Sequence, residues 1–256
     1  MNFEIEQHPA YPRLQEKWLY MDVYMLMEHM YPDWPYHNIN HAAKTFERAM
    51  QFVDDFHAHG IHVDEEAVAT ATLVHDSLFH LPLEGTPFKT KEERSAFVYE
   101  HIMPGFGFTE ERVQLGKGCI LATHKEGECE TNESLITVRA DMGNVYDTSL
   151  IFLSDFRNVS LEVMRNIPKK QLRDLIAQHK LLPTLLDGSS DVIGQYIFKR
   201  DLRFPWERDE PDECRFTSDT RTNLAYLRQI GEQVIAGLVA DFGDWQDKPN
   251  KFQARR

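Results

Sequence analysis

The chain of 256 residues is long enough to bury a sizeable core as one enzyme-sized unit, and its 42% hydrophobic and 27% charged residues exclude a disordered tail. Lys and Arg number 28 against 41 Asp and Glu, a net charge of −13 that repels polyanions and argues against a nucleic-acid polymer as partner. Small phosphorylated ligands stay open, because a metal ion and a few local cations reverse the potential inside a cleft.

The N-terminal stretch MNFEIEQHPAYPRL is acidic and lacks an apolar targeting core, and Trp18 to Met30 is interrupted by Asp22 and Glu28, so no membrane insertion is expected. Pro9, Pro12, Pro32 and Pro35 punctuate this region, and a helix is predicted from about Leu14 to Met30, ending before Tyr31 and Pro32. The loop Pro32 to Asn40 then delivers His41 to the start of a helix that reaches His57, with Ala42, Phe46, Ala49, Met50 and Val53 on its apolar face. Asp64 is a good N-cap, and Glu65 and Glu66 complement the dipole of a helix running through VATATLVHDSLF. On it Val68, Ala71, Thr72 and His75 share a face, so His75 points inward near the end of a buried helix.

Pro82, Gly85 and Pro87 make Leu81 to Thr90 a loop that could border a cleft. Helices are predicted over KEERSAFVYEHI from Lys91 and, after a break at Pro104 to Phe108, through ERVQLGKGCILATH. Leu135 to Phe156 reads as a helix with Asp141 near its beginning, and Leu161 to Leu186 as another. Phe204 to Ser218 reads as an irregular loop and Asn223 to Phe242 as a final amphipathic helix. The fold class is therefore all-α. Cys119, Cys129 and Cys214 form neither a CxxC pair nor an even-numbered framework, which fits a reducing cytoplasm.

A small set of side chains carries the chemistry: His41 opening one helix, His75 and Asp76 adjacent on another, and Asp141 on a third. A lone histidine means little in a chain with 12 of them. An aspartate beside a histidine on an apolar helix is different, since it is costly to bury without a compensating cation. A divalent metal supplies that compensation, and two imidazoles with two carboxylates suit zinc, manganese, iron, nickel or magnesium alike.

At these residues the chain resembles a known family. YHNINHAAKTF, LVHDSLF, KEERSA, ILATH and RADMG, in that order, look like the HD-domain superfamily of metal-dependent phosphohydrolases, and in particular a small bacterial branch with YHNxxH, HD, ExxSA and late-aspartate segments. The resemblance covers roughly Tyr36 to Val145. It implies an HD-type helical bundle with a metal-binding core over about residues 14–156, a C-terminal helical extension over about residues 157–256, and His41, His75, Asp76 and Asp141 as metal ligands. It also implies attack of a metal-activated water on a nucleotide or other small phosphorylated metabolite, with Asp76 or Asp141 orienting the water. Glu92 matches the glutamate of ExxSA and would support a ligand or a water; His124 could stabilise the departing oxygen. His37, Lys44 and Lys125 are the candidate phosphate contacts.

The sequence departs from the family after His75 and Asp76, where Ser77, Leu78, Phe79 and His80 replace the glutamate or lysine that some relatives carry. The tail beyond Asp141 could cover the cleft, extend the core or build a homo-oligomer. Two other functions compete with hydrolysis. An HD-fold di-iron oxygenase would need further ligands, for which His80, His101 and His124 are candidates, and a noncatalytic sensor would keep metal and nucleotide binding without turnover.

Overall fold

In the computed structural model of the protein, residues 5–186, 200–208 and 215–246 are described, and every regular element among them is helical. By compactness the chain forms two units, Met1–Pro32 with His37–Gly143, and Asp33–Tyr36 with Asn144–Arg256. The division thus falls at Gly143, where the sequence alone suggests a core reaching about residue 156.

The first unit contains α1 (Tyr11–Leu14), α2 (Trp18–Met27), α3 (Ile39–Ala58), α4 (Glu65–Val74), α5 (Lys91–Ile102), α6 (Glu110–Ala122) and α7 (Asn132–Asp141). α4 packs against α2, α3, α5, α6 and α7, and every residue from Ala67 to Val74 is buried. A helix that is apolar all round belongs in the middle of a core. Its two interior threonines cost little, because Thr70 and Thr72 bond the carbonyls of Glu66 and Ala69 one turn back. Thr70 also meets the Tyr99 hydroxyl at 2.9 Å, and a Cβ at Gly116 would overlap the Tyr99 ring, so that glycine lets α6 close on α5. Leu73 is fully buried, which stabilises the fold by about 1.5–3 kcal/mol.

Side-chain caps fix where these helices start, and hence where their functional residues lie. The Asn38 side chain accepts the N–H groups of Asn40 and His41, placing His41 in the first turn of α3. Asp64 caps α4, Thr90 caps α5, Thr109 caps α6, and Thr131 with Ser134 forms a reciprocal box on α7.

Several expected boundaries move. The helix read through Phe79 ends at Val74, and Leu78 adopts φ +58°, a left-handed conformation that cannot continue a helix. Its N–H goes to the Met30 carbonyl instead. The span Leu135 to Phe156 is interrupted: Asp141 is the last residue of α7 rather than near a beginning, a short α8 (Gly143–Tyr146) follows, and Thr148 caps α9 (Ser149–Asn166). Pro168 then separates α9 from α10 (Lys169–Ala177), which splits the span predicted from Leu161.

In the second unit α9 packs against α11 (Arg215–Gln229) and α12 (Gly231–Gln246). The single C-terminal helix expected over Asn223 to Phe242 is therefore a pair broken at Ile230. Asn223 ties α11 down by donating to the carbonyls of Val145 and Asp147, and Glu162 accepts the Tyr36 N–H. Of the loop expected over Phe204 to Ser218, Pro205–Glu207 is a 3-10 turn, while residues 209–214, Cys214 included, lie outside the described residues. Cys119 and Cys129 are not in disulfides. Among the described residues no helix is long and apolar enough to cross a membrane.

Candidate metal centre

Three helices deliver four side chains to one point. His41 comes from the first turn of α3, His75 and Asp76 from the end of α4, and Asp141 from the last residue of α7. His41, His75 and Asp76 are buried and Asp141 is partly so, and one ligand atom from each lies within 4.8 Å of all the others. His41 Nε2 is 3.1 Å from Asp141 Oδ1 and 3.5 Å from Asp76 Oδ2; His75 Nε2 is 3.3 Å and 3.2 Å from the same two atoms. The two Nε2 atoms are 3.3 Å apart.

These separations can be tested against a metal. Nitrogen and oxygen ligands about 2.0–2.2 Å from a shared ion in tetrahedral array are about 3.3–3.6 Å from one another. The separations of each imidazole from the two carboxylates and from the other imidazole, 3.1–3.5 Å, lie near this range. The tautomer fits as well. His75 Nδ1 is 2.8 Å from the Thr72 carbonyl oxygen, which can only accept, so Nδ1 carries the proton and Nε2 presents its lone pair to the centre. The donor set could therefore hold a divalent ion, and its chemistry admits several metals.

Without an ion the group holds itself together by protons. Burial alone would lower the His75 pKa, but the charges of Asp76 and Asp141 and their hydrogen bonds outweigh it and raise it well above the ordinary value. Burial would likewise raise both carboxyls, and it is overcome by His75, joined by His41 at Asp141 and by His37 at Asp76, so both lie below their usual range. Among the described residues no lysine or arginine pairs with either aspartate.

The other expected site residues are dispersed around this group. His37 stays in the loop before α3, its ring 6.1 Å from that of His41 and stacked on Phe79 at 3.8 Å. Glu92 sits half-buried in the first turn of α5 and makes no hydrogen bond among the described residues. Lys44 is exposed on α3, and its charge, after burial, is what lowers His8. His124 lies just past α6 with Nδ1 accepting the Glu126 N–H, and Lys125 beside it is exposed. His80 and His124 are not in the four-residue group, and His101 is exposed, bonded to the Phe97 carbonyl and packed on the Phe97 ring.

Some residues of the site escape sequence reasoning. Tyr31, buried before Pro32, accepts the backbone N–H of Asp76 on its hydroxyl at 3.1 Å and so fixes the main chain at that carboxylate. Burial, with the charges of Asp76 and Asp141, raises its pKa well above the ordinary tyrosine value, which keeps it a neutral phenol. Arg94 is 4% exposed and spends both terminal nitrogens on the carbonyls of Leu78, Leu81 and Pro82, while Ser95 donates to the carbonyl of Ser77. α5 thereby clamps the turn that follows Asp76. Nothing in the string KEERSA marks its arginine as buried.

No protein-family model and no curated protein matches this chain.

Proposed function

We propose that the protein is a metal-dependent phosphohydrolase of the HD type, cleaving a phosphate ester of a nucleotide or another small metabolite. Support comes from the donor set: one histidine, a His-Asp pair and a late aspartate, in that chain order, converge with metal-like spacing at the buried end of α4. When bound, the divalent ion supplies Lewis-acid polarisation of a phosphoryl oxygen and lowers the pKa of a water.

The chain's own residues do the rest. His41 and His75 aim Nε2 lone pairs at the centre, and Thr72 holds the His75 ring in the correct tautomer. Asp76 Oδ2 and Asp141 Oδ1 face the imidazoles, which leaves Asp76 Oδ1 and Asp141 Oδ2 to orient the attacking water and take its proton. Tyr31 anchors the backbone of Asp76 so that this carboxylate keeps its aim. His37, whose ring lies 6.1 Å from that of His41, is the residue we assign to the ester's phosphoryl oxygens.

The test is metal analysis of the purified protein together with phosphate release from a panel of nucleotides and sugar phosphates supplemented with divalent metals. Wild type should retain metal and release phosphate from at least one ester. His75→Ala and Asp76→Ala should lose both while remaining helical by circular dichroism. Metal retention without cleavage of any ester would overturn hydrolysis.

A further inference from the structure

The ligand atoms gathered at this centre are all acceptors once a metal is bound. Asp76 and Asp141 face it as carboxylates, His41 and His75 turn Nε2 toward it, and His75 gives its remaining N–H to the Thr72 carbonyl. The non-bridging oxygens of a phosphoryl group are acceptors too, and two carboxylates already cancel the charge of a divalent ion. A phosphoryl group held here therefore needs a hydrogen-bond donor from the wall around the ligands.

Tyr31 has a hydrogen to give. The residue is 4% exposed, and its hydroxyl oxygen lies 3.1 Å from the backbone nitrogen of Asp76. An amide N–H can only donate, so this contact uses the phenol as an acceptor and leaves its own proton unengaged. Among the described residues no group accepts that proton. A buried O–H without an acceptor is unusual, because the group has given up water and received nothing in return. The surroundings are anionic: the charges of both Asp76 and Asp141 bear on this phenol, yet neither carboxylate takes its hydrogen. The hydroxyl is also held firmly in place. The stretch after α2 and the stretch after α4 are tied twice, by the Tyr31 hydroxyl to the Asp76 N–H and by the Leu78 N–H to the Met30 carbonyl, so the donor keeps its position before any ligand arrives. Tyr24 on α2 makes the contrast. It is 1% exposed and its hydroxyl has no partner either, but the charge that bears on it is that of Glu28 and not of a carboxylate at the centre.

We propose that the Tyr31 hydroxyl is a substrate contact of the metal centre, donating its hydrogen to a non-bridging oxygen of the phosphoryl group while it accepts the Asp76 N–H. This rests on the phosphohydrolase reading and adds to it a neutral donor. Neutrality matters, since a lysine or arginine at the same place would pair with Asp76 or Asp141 and compete with the metal for them. A phenol strengthens its hold on the phosphoryl oxygen as negative charge builds there, and the N–H donated into its oxygen polarises the O–H further.

The test uses the manganese-loaded full-length protein and inorganic phosphate as the probe, with affinity measured by calorimetry and metal content measured on the same samples. Tyr31→Phe keeps the ring and removes the hydroxyl, and at saturating manganese it should bind phosphate on the order of tenfold more weakly. Tyr24→Phe removes the other buried hydroxyl and should bind phosphate like wild type. Infrared difference spectra of the wild type on addition of phosphate should show a shifted tyrosine C–O stretch that Tyr31→Phe lacks. Equal phosphate affinity in fully loaded Tyr31→Phe and wild type would overturn the contact and leave Tyr31 as an anchor of the Asp76 backbone alone. No phosphate binding by loaded wild type, or a wild-type difference spectrum without a tyrosine band, would overturn it as well, and the spectrum decides even if the variant fails to hold metal. Ester cleavage with the same kcat/KM in Tyr31→Phe would sink the contact while leaving the hydrolase reading intact. Phosphate binding that depends on Tyr31 without cleavage of any ester would support the contact and remove the hydrolase.

Discussion

The two ends of α4 handle acidic side chains in opposite ways. At the N-terminal end Asp64, Glu65 and Glu66 are each met by a basic or phenolic partner: Arg112 reaches Asp64 and Glu66, Lys17 reaches Glu65 and Glu66, and the Tyr20 hydroxyl donates to Glu65. Apart from Tyr20, these groups line a cavity of about 450 Å³ with His57, His62 and Glu133, yet among the described residues no metal-like set forms there. At the C-terminal end, about three turns away along the helix, the Asp76 carboxylate is met among the described residues by imidazoles and by the charge of Asp141. Acidic residues whose charge the protein cancels itself are structural; those left for an exogenous cation to cancel mark a site.

The sharpest way to break this contrast is pH, because the two ends predict different linkage. In the metal-free protein His75 is raised well above its ordinary value, so its contribution to stability is full below about 6.5 and is lost as pH climbs through the folded pKa. Asp76 and Asp141 are shifted downward, so theirs is present above the ordinary carboxyl value and is lost as pH falls through the depressed one. A metal held at this group would compete with the proton for Nε2 of His75. Metal affinity should therefore rise with pH by up to about tenfold per unit while that imidazole is protonated. Metal titrations at about pH 6 and about pH 8, with melting curves in chelator and in metal, measure this. The gap between loaded and stripped protein should widen toward alkaline pH, and an affinity independent of pH would show that no ligand histidine carries a proton in the stripped state.

A smaller effect is expected where the site is braced. Arg94→Met keeps much of the buried volume but strands the carbonyls of Leu78, Leu81 and Pro82, next to a leucine already in the left-handed region. Loss of these bonds should cost about 2–3 kcal/mol in urea denaturation. Metal binding should weaken less than in a ligand variant, since His41 and Asp141 come from other helices.

How much of this was legible in the string depends on what each feature needs. The all-α class, the cap at Asp64, the Lys91–Ile102 helix and the His-Asp pair are local: a cap, a period of 3.6 and an adjacent pair announce themselves within a few residues. The breaks after Val74 and Asp141 were not legible. Neither Leu78 nor Met142 is a helix breaker by type, and the turn at Leu78 is imposed from a distance by the Met30 carbonyl and by Arg94. Tyr31 and Arg94 earn their roles only through partners 45 and 16 residues away. Lys44 and Lys125 illustrate the converse, since proximity in sequence to a ligand or to His124 left both exposed.

The weakest perturbation belongs to the self-compensated end, and its smallness is the point. Arg112 makes two short contacts, 2.8 Å to Asp64 and 2.7 Å to Glu66, which by distance alone would rank among the strongest in the protein. Its side chain is nevertheless 38% exposed and those of its partners 25% and 30%, so water screens much of the attraction and already solvates the charges in the unfolded chain. Arg112→Ala should cost only about 0.5–1 kcal/mol, should lose even that in high salt, and should leave metal content and its pH dependence untouched. A larger loss, or a loss of metal, would mean that the two ends of α4 are coupled through the helix that joins them, and that the acidic cluster around Asp64 is part of the machinery after all.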